Sequence, residues 1–100
     1  MATPAMQRYA AEIFRLQQDA PFVGLNELAE SANSSMQATA RMVGRMKKLD
    51  YLDHELYRGV RLTMKGEQIA MPALRRHRLV EVFLVKVMKY DWATAHDLAD

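Results

Sequence analysis

The sequence predicts a mainly α-helical chain interrupted by one short β-hairpin, and three observations carry that prediction. Apolar residues recur at helical spacing through about residues 4–18 and again through 36–49. The period then shortens to two over YLDHELYRGVRL, with Gly59 in its turn. Beyond Thr63 the helical pattern returns and persists to about Met88.

Thr3 followed by Pro4 is a helix start: the hydroxyl can accept from an orphan N–H, and proline loses nothing at the first helical position. Met6, Tyr9, Ile13 and Leu16, widened by Ala10 and Phe14, then give the first helix one buried face as far as about Gln18. Asp19, Pro21 and Gly24 end it. Asn26 is the expected cap of a short helix over 27–32, with Leu28 and Ala29 pointing inward. The polar turn at Asn33, Ser34 and Ser35 precedes a third helix over 36–49.

Two short strands follow, about 52–55 and 60–62, with Arg58 near the tip of their hairpin. Thr63 caps the long helix, which Pro72 is expected to kink or split. Asp91 and Trp92 open a last helix. Helix, short helix, polar turn and basic helix is the order of a helix-turn-helix, and a hairpin directly after it is a wing. The expected organisation is a winged helix-turn-helix over residues 1–63, followed over 64–100 by a linking helix and the start of a metal-binding and dimerisation region.

The third helix points to DNA. Residues 31–49 carry Arg41, Arg45, Lys47 and Lys48 with no acidic residue. Thr39, Val43 and Met46 form one stripe, and Gln37, Arg41, Arg45 and Lys48 lie opposite it. One face packs while the other is available to phosphates and bases.

Composition narrows the alternatives. The chain has 100 residues, 14 Lys+Arg against 12 Asp+Glu, and no cysteine, so disulfides, thiolate metal sites and thiol catalysis are excluded. A core of this size is marginal alone, and a homodimer is the natural remedy. No apolar run approaches the ~18 residues of a membrane span, and no signal peptide is recognisable, so a soluble, cytoplasmic protein is expected. No glycine-rich phosphate loop and no Ser/His/Asp arrangement is present, and an enzyme is not expected.

His77 and Glu81 stand four apart on the long helix, as do His96 and Asp100 on the last one. Each pair shares a helix face, and two antiparallel helices would gather two imidazoles and two carboxylates. Nitrogen and oxygen donors in that number suit a divalent first-row metal. Spacing alone equally fits ordinary surface pairs worth a few tenths of a kcal/mol each. The run Arg75, Arg76 and Arg78 reads as a solvated face, and the eight methionines as core filling.

The stretches TPAMQRYAAEIFRL, LNELAE, ARMVGRMKKLDYL, YRGVRLTMKGEQIA and RRHRLVEVFLV together resemble the diphtheria-toxin-repressor and manganese-repressor family of metal-dependent transcriptional regulators. The resemblance covers nearly all of the chain and is most specific in the last two stretches. It implies that Ser35, Gln37, Ala38 and Arg41 face DNA and that Arg58 sits beside the backbone or minor groove. It also implies that His77, Glu81 and His96 ligate one metal, and that Asp100 falls where a second site has cysteine or glutamate. A carboxylate there is closer to manganese-type than to iron-type members, so Mn2+ or Fe2+ is the expected cofactor.

Two departures from the family pattern stand out. Arg8 occupies the position of an expected thioether or carboxylate ligand, and Ala11 that of a glutamate in manganese-type members. Arginine cannot release its proton to bind a metal. The family's further Glu and His ligands, and most of its dimer-forming helices, are expected beyond Asp100. The leading reading is a metal-dependent regulator, a repressor by resemblance, bound as a dimer to palindromic operator DNA. The alternatives are a metal-independent regulator locked by an Arg8–Asp100 ion pair, and a winged helix used as a protein-interaction module.

Overall fold

The computed structural model describes residues 2–86, 88–89 and 91–99, in which five helices flank a two-stranded sheet. Helix α1 (Pro4–Leu16) begins as its sequence requires: Thr3 is extended and its hydroxyl accepts from Met6 N–H at 3.1 Å. Its stripe of Met6, Tyr9, Ala10 and Ile13 is buried, with Phe14 and Leu16 packed at the margin.

Helix α2 (Leu25–Ser31) starts two residues earlier than expected. Gly24, not Asn26, occupies the cap position, with an extended backbone and no side-chain capping bond; Asn26 lies exposed inside the first turn. Leu28 and Ala29 point inward as the pattern requires. Asn33, at φ 53°, turns the chain, and Ser35 caps α3 (Met36–Lys48) by accepting from Ala38 N–H at 3.1 Å. Thr39, Val43 and Met46 are its buried residues.

The wing pairs β1 (Leu52–Glu55) with β2 (Gly59–Leu62) in antiparallel register, Leu52 opposite Leu62 and Glu55 opposite Gly59. Val23 adds an isolated bridge to Val60 through two backbone bonds of 2.8 Å, which ties the segment before α2 to the wing. Gln17 fastens the same edge of β2 further along, its side-chain oxygen accepting from Leu62 N–H at 2.8 Å. Gly59 has φ 110°, and a Cβ there would stand 2.2 Å from the Val23 carbonyl oxygen, so only glycine allows this approach.

Thr63 joins wing to α4 (Met64–Lys86) in two ways: its hydroxyl donates to the Asp50 carbonyl at 2.7 Å and accepts from Gly66 N–H at 3.1 Å. Pro72 does not split this helix, which continues through it for 23 residues. The lost N–H frees one carbonyl, but Ala70 and Ala73 on either side are buried, and packing of α4 against α1 holds the segment helical. The later apolar residues of α4 are not uniformly covered: Leu79, Val80 and Phe83 are exposed. Helix α5 (Trp92–Ala99) folds back on α4, capped by Asp91, whose carboxylate accepts from Thr94 N–H at 2.7 Å. No helix of the described residues is long and apolar enough to cross a membrane.

Candidate metal centre and nucleic-acid interface

Glu81 lies between two imidazoles. On α4 the i,i+4 spacing brings His77 Nδ1 to 3.1 Å from Glu81 Oε1, and the return of α5 brings His96 Nδ1 to 3.0 Å from Glu81 Oε2. The two rings meet edge to face with centroids 4.6 Å apart. Arg78 stacks over the Trp92 ring at 5.2 Å, which pins the start of α5 to α4 close to this cluster. Trp92 carried no functional expectation in the sequence, because a stack across two helices leaves no spacing signal.

Burial opposes ionisation of Glu81. The hydrogen bond with His96 and the charges of His77, His96 and Arg78 outweigh it, holding the carboxyl below its usual range. The side chains of His77 and Glu81 are only 11% and 12% exposed, whereas His96 is 47% exposed and forms the open side.

One donor atom from each of His77, Glu81 and His96 lies within 4.8 Å of the others. Two imidazole nitrogens and a carboxylate oxygen form a donor set for a divalent first-row metal, and a modest contraction brings them to common coordination distance. These three residues therefore fit the expected ion. Asp100, the fourth expected ligand, lies outside the described residues. The second expected site does not fit on the α1 side: Arg8 offers no ligand, and Ala11 is buried with no donor at all.

Along α3, Ser35, Gln37, Arg41, Arg45 and Lys48 are exposed, and Ala38 is half-buried. Among the described residues, Arg41, Arg45, Lys47 and Lys48 make no ion pair, so this face holds uncompensated positive charge. Arg58 is exposed but turned back: its guanidinium stacks over Phe22 at 4.4 Å and reaches Glu55 at 3.4 Å. Arg61 approaches the same ring at 5.0 Å. The apex of the wing is instead Leu56 and Tyr57, the latter 97% exposed at φ 67°.

Fold and site together define a winged helix-turn-helix protein whose long linking helix carries a His–Glu–His donor cluster. Residues 63–100 match the family model described as iron dependent repressor, metal binding and dimerisation domain. The HTH-type transcriptional regulator MntR of Bacillus subtilis (strain 168) is 34% identical over 84 residues, which are 84% of this chain and 59% of that protein. Its counterpart from Shouchella clausii (strain KSM-K16) matches to the same extent. A solved manganese-dependent transcriptional repressor in complex with manganese superposes with a TM-score of 0.82 at 32% identity, over 94% of this chain and 43% of that one. The manganese regulator SloR superposes with a TM-score of 0.73 at 30% identity, over 98% and 46%. These likenesses support the diphtheria-toxin-repressor and manganese-repressor family of metal-dependent transcriptional regulators, a family that is not enzymatic. It spans about three fifths of the length of the curated relatives it matches.

Proposed function

We propose that this chain is the DNA-reading and metal-sensing part of a cytoplasmic transcriptional repressor of metal-ion homeostasis genes, bound to a palindromic operator as a homodimer. The observation that carries the reading is the exposed, unpaired cationic face of α3 opposite its buried stripe. Arg45 and Lys48 neutralise phosphates, Gln37 and Arg41 read base edges, and Ser35 and Ala38 set the leading end of the helix in the major groove. Arg58 contributes positive charge from the wing flank. The division of labour falls near residue 63, with the winged helix before it and the sensing region after it.

His77, Glu81 and His96 hold the ion, Mn2+ or Fe2+, as nitrogen and oxygen donors suit. A bound divalent cation supplies a cross-link between α4 and α5. The switch works only insofar as that cross-link favours one spacing of the two DNA-reading helices over another. Exposed Leu79, Phe83, Trp92 and Leu98 on α4 and α5 support a dimer formed through this end of the molecule.

Fluorescence anisotropy on operator and random duplexes, with and without Mn2+ or Fe2+, tests the reading. Metal is expected to tighten operator binding, and Arg41→Ala to weaken it about tenfold or more while sparing random DNA. Lys48→Ala is expected to lower the salt slope by about one. Binding that ignores salt, or no duplex binding in any metal state, overturns it.

A further inference from the structure

A cavity of about 660 Å³ opens beside the candidate metal centre, where α1, the α2–α3 turn, α4 and the end of α5 meet. Among the described residues, its rim carries the guanidiniums of Arg8 and Arg76 together with the Arg15–Glu12 ion pair. Glu12 is already committed: it accepts from Arg15 at 2.7 Å and from the Ser31 hydroxyl at 2.6 Å. Arg8 makes no side-chain hydrogen bond or ion pair among the described residues, and Arg76 makes one 3.4 Å contact with the neutral side-chain oxygen of Gln7.

From this charge balance we infer that the cavity binds a multiply charged oxyanion of metabolite size, a phosphorylated or polycarboxylate small molecule, held by Arg8 and Arg76. The volume lies within the range of small-molecule pockets. Guanidinium forks match phosphate and carboxylate oxygens in pairs, and Asn33 adds a neutral amide to the lining. The positive rim that suits an anion also repels a second cation, and this accounts for the missing donors at Arg8 and Ala11. The occupant would touch α1, α4 and the turn that leads into α3, all at once.

Calorimetric titration of the purified, metal-free protein with inorganic phosphate and with citrate, at constant ionic strength and with chloride as control, tests the site without DNA or metal. Its failure is therefore separate from failure of the operator reading. Saturable heat is expected with phosphate or citrate and not with chloride. Tighter phosphate binding identifies a phosphorylated ligand, and tighter citrate binding a polycarboxylate. Arg8→Gln and Arg76→Gln are each expected to weaken binding about tenfold or more, whereas Arg75→Gln, on the same helix but off the rim, leaves it within about twofold. NMR amide shifts give a second readout that needs no variant: Asn33 and Ala99 must move on titration. No saturable heat with either anion, equal losses in all three variants, or shifts that avoid Asn33 and Ala99 would each overturn the assignment.

Discussion

Tyr9 on α1 and Thr39 on α3 meet hydroxyl to hydroxyl at 3.5 Å, thirty residues apart in sequence and both buried. This contact is a polar link between the first helix and α3. Thr39 belongs to the buried stripe with Val43 and Met46, and burial of that stripe leaves Arg41 and Arg45 pointing outward.

Tyr9→Phe should therefore cost about 1 kcal/mol, at the modest end for a neutral bond of this length, because the Thr39 hydroxyl keeps some capacity to bond within its own helix. A double-mutant cycle with Thr39→Val, read by urea unfolding, should give a positive coupling energy. Additive losses would mean that the two hydroxyls ignore each other.

Two glycines should respond in opposite directions. A Cβ at Gly66 would stand 1.9 Å from the Tyr51 carbonyl oxygen, so Gly66→Ala must push the start of α4 off the wing root and lower Tm sharply. At Gly44, inside α3, nothing lies within 4 Å of the added Cβ. Gly44→Ala should raise stability by about 0.5–1 kcal/mol through helix propensity, and thermal melts of both variants would show it.

Acid should loosen the α4–α5 hairpin through Glu81. Its carboxyl titrates below the ordinary 4.5 in the folded protein, so its stabilising contribution is fully present above that value and is lost as pH falls through the folded one. Denaturant unfolding of wild type and Glu81→Gln across pH 3–7, where the range is roughly that of carboxylate titration, should give curves that converge at the acid end. A constant gap would place the effect elsewhere.

The cap of α5 should matter to metal binding although it touches no ligand. The Asp91 carboxyl is held below its usual range by the hydrogen bonds it accepts from Thr94, with a further one from Ala93. Asp91→Ala should fray the first turn of α5, misplace His96 and weaken Mn2+ binding several-fold, with Asp91→Ser restoring most of it. Metal titration followed by thermal shift distinguishes this from a direct ligand role, which serine would not rescue.

Most of the architecture was legible because it rests on local rules. The Thr3–Pro4 and Ser35 caps, the Thr39, Val43 and Met46 stripe and the change of period at the wing all depend on neighbours within a turn or two. What was not legible depends on distant partners. Gly24 displaced Asn26 as the α2 cap because the Val23–Val60 bridge sets the path of the chain there. Pro72 stayed helical because α1 covers that part of α4. At the site, spacing paired His77 with Glu81 and let an antiparallel helix bring His96 to them, but it did not tell that each imidazole would take a different oxygen of Glu81. The stacking of exposed Arg58 on Phe22 was hidden for a similar reason, since Phe22 lies in a segment with no periodic link to the wing.

The uninterrupted α4 has a bearing on how such proteins can be recombined. Its 23 residues span about 34 Å, with Gly66 wedged under the wing root at one end and the His77–Glu81 pair further along. Grafting a different C-terminal region onto this winged helix therefore requires matching helical phase as well as length. One residue inserted between those points would swing the imidazole and carboxylate about 100° around the axis and away from α5.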